Sequence, residues 1–189
     1  MRAARDAWPA AVAGVPAAAD HVFLDAFGAA TDLARAYGRC PAGERLVAPV
    51  PHGHWKVLTT IAALTTRGIL AAVTVDAATD ADVFRTFVTD ALCPALRPGQ
   101  VVVMDNLASH KVAGVREAIE AAGCRVLYLP PYSPDVNPSE NAIARLKSRL
   151  RNLAARTVDA LGAAVQDALA AITPADAAGC FRHCGYPAT

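Results

Sequence analysis

The chain has 189 residues, 54% of them hydrophobic and 19% charged, and carries a formal net charge of +1. That length suits one well-packed core with a short appendage, and the near-neutral balance gives no global sign of nucleic-acid binding. Five scattered cysteines (Cys40, Cys93, Cys124, Cys180, Cys184) and the lack of any run of about 18 apolar residues argue against a disulfide framework and a transmembrane helix. A reducing cytosol fits best.

Residues 1–20 are rich in Ala and Pro. Arg2, Arg5 and the Ala/Val stretch faintly mimic a signal peptide, but Asp6, Pro9 and Pro16 interrupt it, so the segment reads as a poorly ordered linker or remnant. The domain is expected to begin at His21 and run to residue 189. Residues 22–24 read as a strand closed by Asp25, and 37–54, rich in Gly, Pro and polar residues, as an extended connection. Residues 56–64 and 69–75 are rich in β-branched types and flank Thr65-Thr66-Arg67-Gly68, which predicts an antiparallel hairpin. Val83, Phe84, Phe87, Val88 and Leu92 recur at helical spacing over 80–92, and Pro94 and Pro98-Gly99 are expected to end that helix. The apolar run at 101–104, a helix-like segment at 111–122 and a second apolar run at 126–129 form a βαβ unit with buried parallel strands. Helices are predicted at 138–155, 158–172 and 175–183. Three strands, a helix, a strand, a helix, a strand and then helices is the element order of an α/β, ribonuclease-H-like domain: a mixed five-stranded sheet flanked by helices.

Three acids stand where such elements would hold them rigidly. Asp25 closes the first apolar run, Asp105 follows Val101-Val102-Val103-Met104, and Glu140 lies three residues into a helix opened by Asn137-Pro138, with 34 residues between Asp105 and Glu140. Sheets of this kind gather functional groups beyond the carboxyl ends of their strands, where Asp105 falls. Phosphodiester cleavage needs an activated attacking oxygen and a stabilised leaving oxygen, and two divalent ions about 3.5 to 4 Å apart supply both. Two Asp and one Glu suit Mg²⁺ (or Mn²⁺), which prefers oxygen ligands. Each acid has an ordinary reading too: Asp at a strand end starts turns, and Asn137, Pro138 and Glu140 occupy the N-cap, N1 and N3 positions of a capping box.

Val102-Val103-Met104-Asp105-Asn106, His110 beyond it, and the run Leu129-Pro130-Pro131-Tyr132-Ser133-Pro134-Asp135-Val136-Asn137-Pro138-Ser139-Glu140-Asn141 resemble the second and third acidic motifs of insertion-sequence DDE transposases of the mariner superfamily. Val22-Phe23-Leu24-Asp25 resembles the first motif, and Val50-Pro51-His52-Gly53-His54-Trp55-Lys56 the segment leading into the second strand; the likeness extends to about Tyr186. The resemblance implies strand cleavage and strand transfer of transposon DNA by Asp25, Asp105 and Glu140, with Asp25 bridging two metal ions and Glu140 holding the second. It implies a homodimer on paired DNA ends, a TA target and a bacterial, cytoplasmic, nucleoid-associated location. Two departures stand out. Ala26 follows Asp25 where family members commonly have Glu, and residues 1–20 cannot form the N-terminal helix-turn-helix units of full members. The chain therefore reads as a catalytic half completed by a separately encoded helix-turn-helix subunit or by frameshifting, or as a truncated, non-catalytic fragment serving as a dimerisation and regulatory module.

Ile143, Leu146, Leu150 and Leu153 make one apolar stripe of the helix after Glu140, while Arg145, Lys147, Arg149, Arg151 and Arg156 follow without an intervening acid and are candidate phosphate contacts. Lys56, His110, Lys111 and Tyr132 are further DNA-contact candidates, with Trp55 and Tyr132 able to stack on bases or simply to pack. Cys180, His183 and Cys184 with His52 and His54 offer zinc-type ligands, but no second close cysteine pair accompanies them, so plain thiols are expected.

Overall fold

Successive residues of β1 (His21–Ala30) face two different cores, and this alternation organises the molecule. The computed structural model describes residues 2–13, 20–78, 80–106 and 112–188, with backbone alone for 2–4 and 13. Val22, Leu24 and Ala26 pack among Phe84, Phe87, Val88, Val115 and Ile119. On the other face Phe23 meets Phe181 and Tyr186, while Phe27 and Ala29 lie among Ile143, Leu146 and Leu150. β2 (Val57–Thr65), β3 (Gly68–Val75), β4 (Val101–Met104) and β5 (Arg125–Tyr128) complete a sheet of order β3-β2-β1-β4-β5. β1, β2 and β3 pair antiparallel, whereas β4 and β5 run parallel to β1, which is the expected ribonuclease-H-like mixed sheet.

The predicted hairpin forms around Thr66 and Arg67. Gly68 takes φ +117°, and a Cβ there would lie 3.1 Å from the Ile172 carbonyl, so a larger residue would be strained on both counts. β1 is longer than predicted and Asp25 lies within it rather than at its end. Past the last β4 partner at Leu24 the strand keeps its pairing with β2, from Asp25↔Ala62 to Ala30↔Val57, a support that only the partner strand reveals. α2 (Ala81–Thr86) is capped by Asp80, whose side chain accepts from Asp82 and Val83 N–H. It does not stop at Pro94. A π-helical segment, Phe87–Leu92, carries it into α3 (Cys93–Ala95), with Cys93 N–H reaching the Val88 carbonyl; the wider turn accommodates a proline that has no N–H to donate.

α4 (Val115–Ala121) joins α2 on one face of the sheet, and α5 (Pro138–Leu153), α6 (Val158–Ala170) and α7 (Pro174–His183) cover the other. Leu153, expected to extend the apolar stripe of α5, is 47% exposed, because the buried row ends at Leu150.

The sequence reading of 1–20 as a linker differs from the structure over Arg2–Ala13, which forms α1. Residues 14–19 lie outside the described residues. Trp8 of α1 is buried, and its Nε1 donates to Tyr186 Oη at 3.0 Å, which in turn donates to the Val136 carbonyl at 2.8 Å. A lone Trp in an Ala/Pro-rich stretch gives no periodic signal, so its seat is invisible until the C-terminal Tyr186 is in place. Trp8→Ala should lower stability by about 3 kcal/mol in a thermal or denaturant melt. Tyr186→Phe, which strands the indole N–H and the Val136 carbonyl, should cost about 1 to 2 kcal/mol.

Candidate active site

Asp25 and Asp105 come together through strand register. Parallel pairing of β1 with β4 ends at Leu24↔Met104, so each Asp is the next residue on neighbouring strands, which run about 4.8 Å apart. Glu140 arrives from the first turn of α5, whose start is tied to β1: Ser139 Oγ donates to the Phe23 carbonyl at 3.3 Å and Asn137 Nδ2 donates to Asp25 Oδ2 at 2.8 Å. The three acids line one open cleft of about 590 Å³, walled by Asn106, Leu129, Pro130, Pro131, Tyr132, Ser133, Pro134 and Asn137. Three prolines stiffen that wall. Tyr132 projects from it, 84% exposed, on a backbone with φ +54°, a conformation that costs energy for a side-chain-bearing residue. Arg5 of α1 braces the same loop, donating to the Tyr132 carbonyl at 3.3 Å and pairing with Asp135 at 2.6 Å.

The Asp25 carboxyl has a heavily perturbed environment. Burial pushes its pKa from 3.8 up to about 6; the Glu140 and Asp105 carboxylates push the same way, while hydrogen bonds from Ala26 N–H (2.8 Å) and Asn137 pull it back. Like charges crowded into a partly desolvated cleft are a standing cost that a cation would relieve. Ala26 points to the opposite face, into the core with Leu24, as strand alternation requires. The capping-box reading of Glu140 is not realised. Asn137 caps α5 through Ser139 N–H alone, and the Glu140 side chain is exposed in the cleft.

The donor set, carboxylate oxygens without sulfur, fits a hard divalent cation such as Mg²⁺ or Mn²⁺. Among the described residues no three His, Cys, Asp or Glu side chains already stand close enough to hold a metal ion. The three carboxylates therefore share a cleft, in which Asp25 feels the charge of the other two, without forming a closed cage, and Asp25 is turned toward Asn137. The same finding covers the zinc-type cluster: Cys180 is buried, and the Cys184 thiol accepts from Asn141 Nδ2 at 3.3 Å and is pushed up to about 11 by burial.

The structure sorts the DNA-contact candidates. Tyr132 is at the cleft, whereas His110 and Lys111 lie outside the described residues. Lys56 is exposed but remote, hydrogen-bonded through its backbone to Thr31 at the far end of β1, six strand positions and roughly 20 Å beyond Asp25. Nearby Trp55, 59% exposed, stands beside His52 and Arg156. The basic residues of α5 fall on two flanks, because residues two apart on a helix point roughly 200° apart. Arg145 and Arg149 border a depression with Asp176, and Arg145 is paired to that Asp. Lys147 and Arg151 lie on the other flank, in line with Glu140 seven and eleven residues before them. Arg156 is committed to structure, with Nη1 donating to the Thr31 and Leu33 carbonyls at 3.0 and 2.9 Å.

Sequence reasoning missed two contributors: Asn137 as a donor to Asp25, and Arg5 as a brace of the cleft wall. Asn137 carried a signal only for its capping role, and nothing in residues 1–20 pointed to Arg5.

Residues 20–162 match the sequence family described as DDE superfamily endonuclease. No curated protein matches the chain in sequence. Among solved structures, the catalytic domain of the Mos1 mariner transposase is similar at 15% identity and a TM-score of 0.64, covering 97% of this chain and 91% of that one. The same catalytic domain with raltegravir and Mg gives 15% identity and 0.69, with 96% and 85% covered. The Mos1 paired-end complex with Mn gives 16% identity and 0.70, with 96% and 56% covered. The chain spans about three fifths of the Mos1 chains in the pre-cleavage transpososome and the left-end complex, 60% and 61%. Among the described residues no helix is long and apolar enough to cross a membrane. With three carboxylates gathered in one cleft on this sheet, and the family match spanning all of them, the chain belongs to the DDE superfamily endonucleases and has the fold of the mariner transposase catalytic domain.

Proposed function

We propose that this chain is the catalytic part of a mariner-type DNA transposase, in which Asp25, Asp105 and Glu140 hold two Mg²⁺ or Mn²⁺ ions and strand cleavage is followed by strand transfer. The observation that carries the reading is the meeting of these three acids, from β1, the end of β4 and the start of α5, in one cleft where Asp25 feels both others. Bound divalent ions would activate the attacking oxygen and stabilise the leaving oxygen of the phosphodiester. The protein's own part is positional. β1 and β4 hold two carboxylates side by side, α5 brings the third, and the proline-stiffened wall limits where a strand can lie. Closing the three onto shared cations calls for rotation of the Asp105 and Glu140 side chains, since hydrogen bonds from Ala26 N–H and Asn137 hold the Asp25 carboxylate.

The partners proposed are transposon-end and target DNA, a second copy of the chain, and a helix-turn-helix part that recognises the ends. The solved relatives are named as paired-end and strand-transfer complexes, which supports the DNA and the dimer. Joined to its end-binding part, the protein should nick and join DNA carrying its terminal repeats when Mg²⁺ or Mn²⁺ is present and not in EDTA. Absence of cleavage and of divalent binding, with tight association to an intact transposase, would instead identify a regulatory module.

Lys147 and Arg151 share the Glu140 flank of α5, so they are the α5 cations proposed to meet phosphates beside the cleft. Replacing both with Ala should reduce the slope of log affinity against log salt by about 2, and Arg145→Ala should change it less because Asp176 already neutralises that side chain. DNA-binding titrations at several salt concentrations measure this.

A further inference from the structure

The Asn137 carboxamide bridges two parts of the cleft. Its Oδ1 accepts from Ser139 N–H at 3.1 Å, closing the first turn of α5, while its Nδ2 donates to Asp25 Oδ2 at 2.8 Å on β1. The residue is 4% exposed, so neither bond is diluted by solvent. The other Asp25 oxygen takes the Ala26 N–H at 2.8 Å, leaving the carboxylate with one donor on each oxygen and a fixed plane. Each oxygen keeps a further lone pair, so these bonds orient the group without blocking it. Glu140 belongs to the same turn of α5, its N–H bonded to the Asn137 carbonyl at 3.1 Å.

We propose that Asn137 is a positioning residue for the reaction: it locks the Asp25 carboxylate to the helical turn that carries Glu140, so that both meet a divalent cation in a fixed mutual relation. The inference rests on the reading of Asp25 and Glu140 as cation-holding groups. A residue that only capped α5 would be interchangeable with Ser, which serves nearly as well at an N-cap. A residue that orients a metal-holding carboxylate would not be, since loss of such an outer hydrogen bond typically weakens metal binding 10- to 100-fold. Asn137→Ser separates the roles, because the hydroxyl keeps the cap acceptor but is too short to reach Asp25.

The test is Mn²⁺ titration by calorimetry, with thermal melting in EDTA, on the full chain and on Asn137→Ser and Asp25→Asn. Asn137→Ser is expected to melt within about 4 °C of the native protein yet bind Mn²⁺ at least about tenfold more weakly. Should the Ser variant fail to fold, Asn137→Thr, also a good cap, serves in the same comparison. Native-like Mn²⁺ affinity in the cap-preserving variant, with binding lost in Asp25→Asn, would overturn the positioning role and leave the cleft assignment standing. Native-like affinity in Asp25→Asn would sink both.

Discussion

Asp105→Asn should abolish metal-dependent cleavage, lowering the rate by at least about a thousandfold, or ~4 kcal/mol in the barrier, while far-UV circular dichroism and melting temperature stay close to native. Asp105 follows β4 at the point where pairing with β1 ends, half-buried at the cleft rather than sealed in a core, and exchanging one oxygen for an amide nitrogen keeps the side chain's size and shape. What changes is charge: the cleft loses one of the three negative groups that make it attractive to a divalent cation. Retained cleavage by a folded Asp105→Asn protein would refute the assignment.

Asp25→Asn should separate activity from stability. Cleavage should fall as far as in Asp105→Asn, but in EDTA at pH 7.5 the variant should be more stable than the native protein. A carboxyl that holds its proton to about pH 6 instead of 3.8 carries up to about 3 kcal/mol of penalty when ionised. From this, roughly 1 kcal/mol is offset because the new amide would confront the Asn137 donor. At 2 to 4 °C per kcal/mol for a chain of this size, the melting temperature should rise by several degrees. The pH dependence has a definite sign. Folding raises this carboxyl's pKa, so between pH 3.8 and about 6 the folded protein retains a proton that the unfolded chain has released. Its favourable contribution is therefore complete below 3.8 and disappears as pH climbs through 6, and the advantage of the variant should shrink to nothing toward pH 4. Saturating Mg²⁺ should raise the melting temperature of the native protein at pH 7.5 and leave the variant unmoved. Equal melting profiles for the two proteins across this pH range would show that the buried charge carries no such cost.

The hairpin, the βαβ unit and the three C-terminal helices were readable because their signals are local. β-Branched runs around a Gly-ended turn, apolar stretches broken by a helical period, and Asn137-Pro138 at a helix start need no knowledge of distant residues. The full length of β1 and the helix at Arg2–Ala13 were not readable, because each depends on a partner far away in the chain. The π-helical segment ahead of Pro94 was not readable because it departs from the 3.6-residue period that marks a helix in sequence. The basic run of α5 was readable as charge but not as surroundings. Charge composition says how many cations a helix carries, whereas helical phase and the neighbour Asp176 decide which flank each occupies and which is already neutralised.

The sequence by itself determined which acids this protein could use, the elements that carry them and the core faces those elements bury, since residue type and periodicity are properties of the chain. Only the tertiary structure decided that Asp25 and Asp105 stand side by side, that Asn137 ties one of them to the helix of Glu140, and that burial drives Asp25 toward protonation. Proximity, hydrogen-bond pairing and desolvation arise between segments 80 or more residues apart, and no local pattern encodes them.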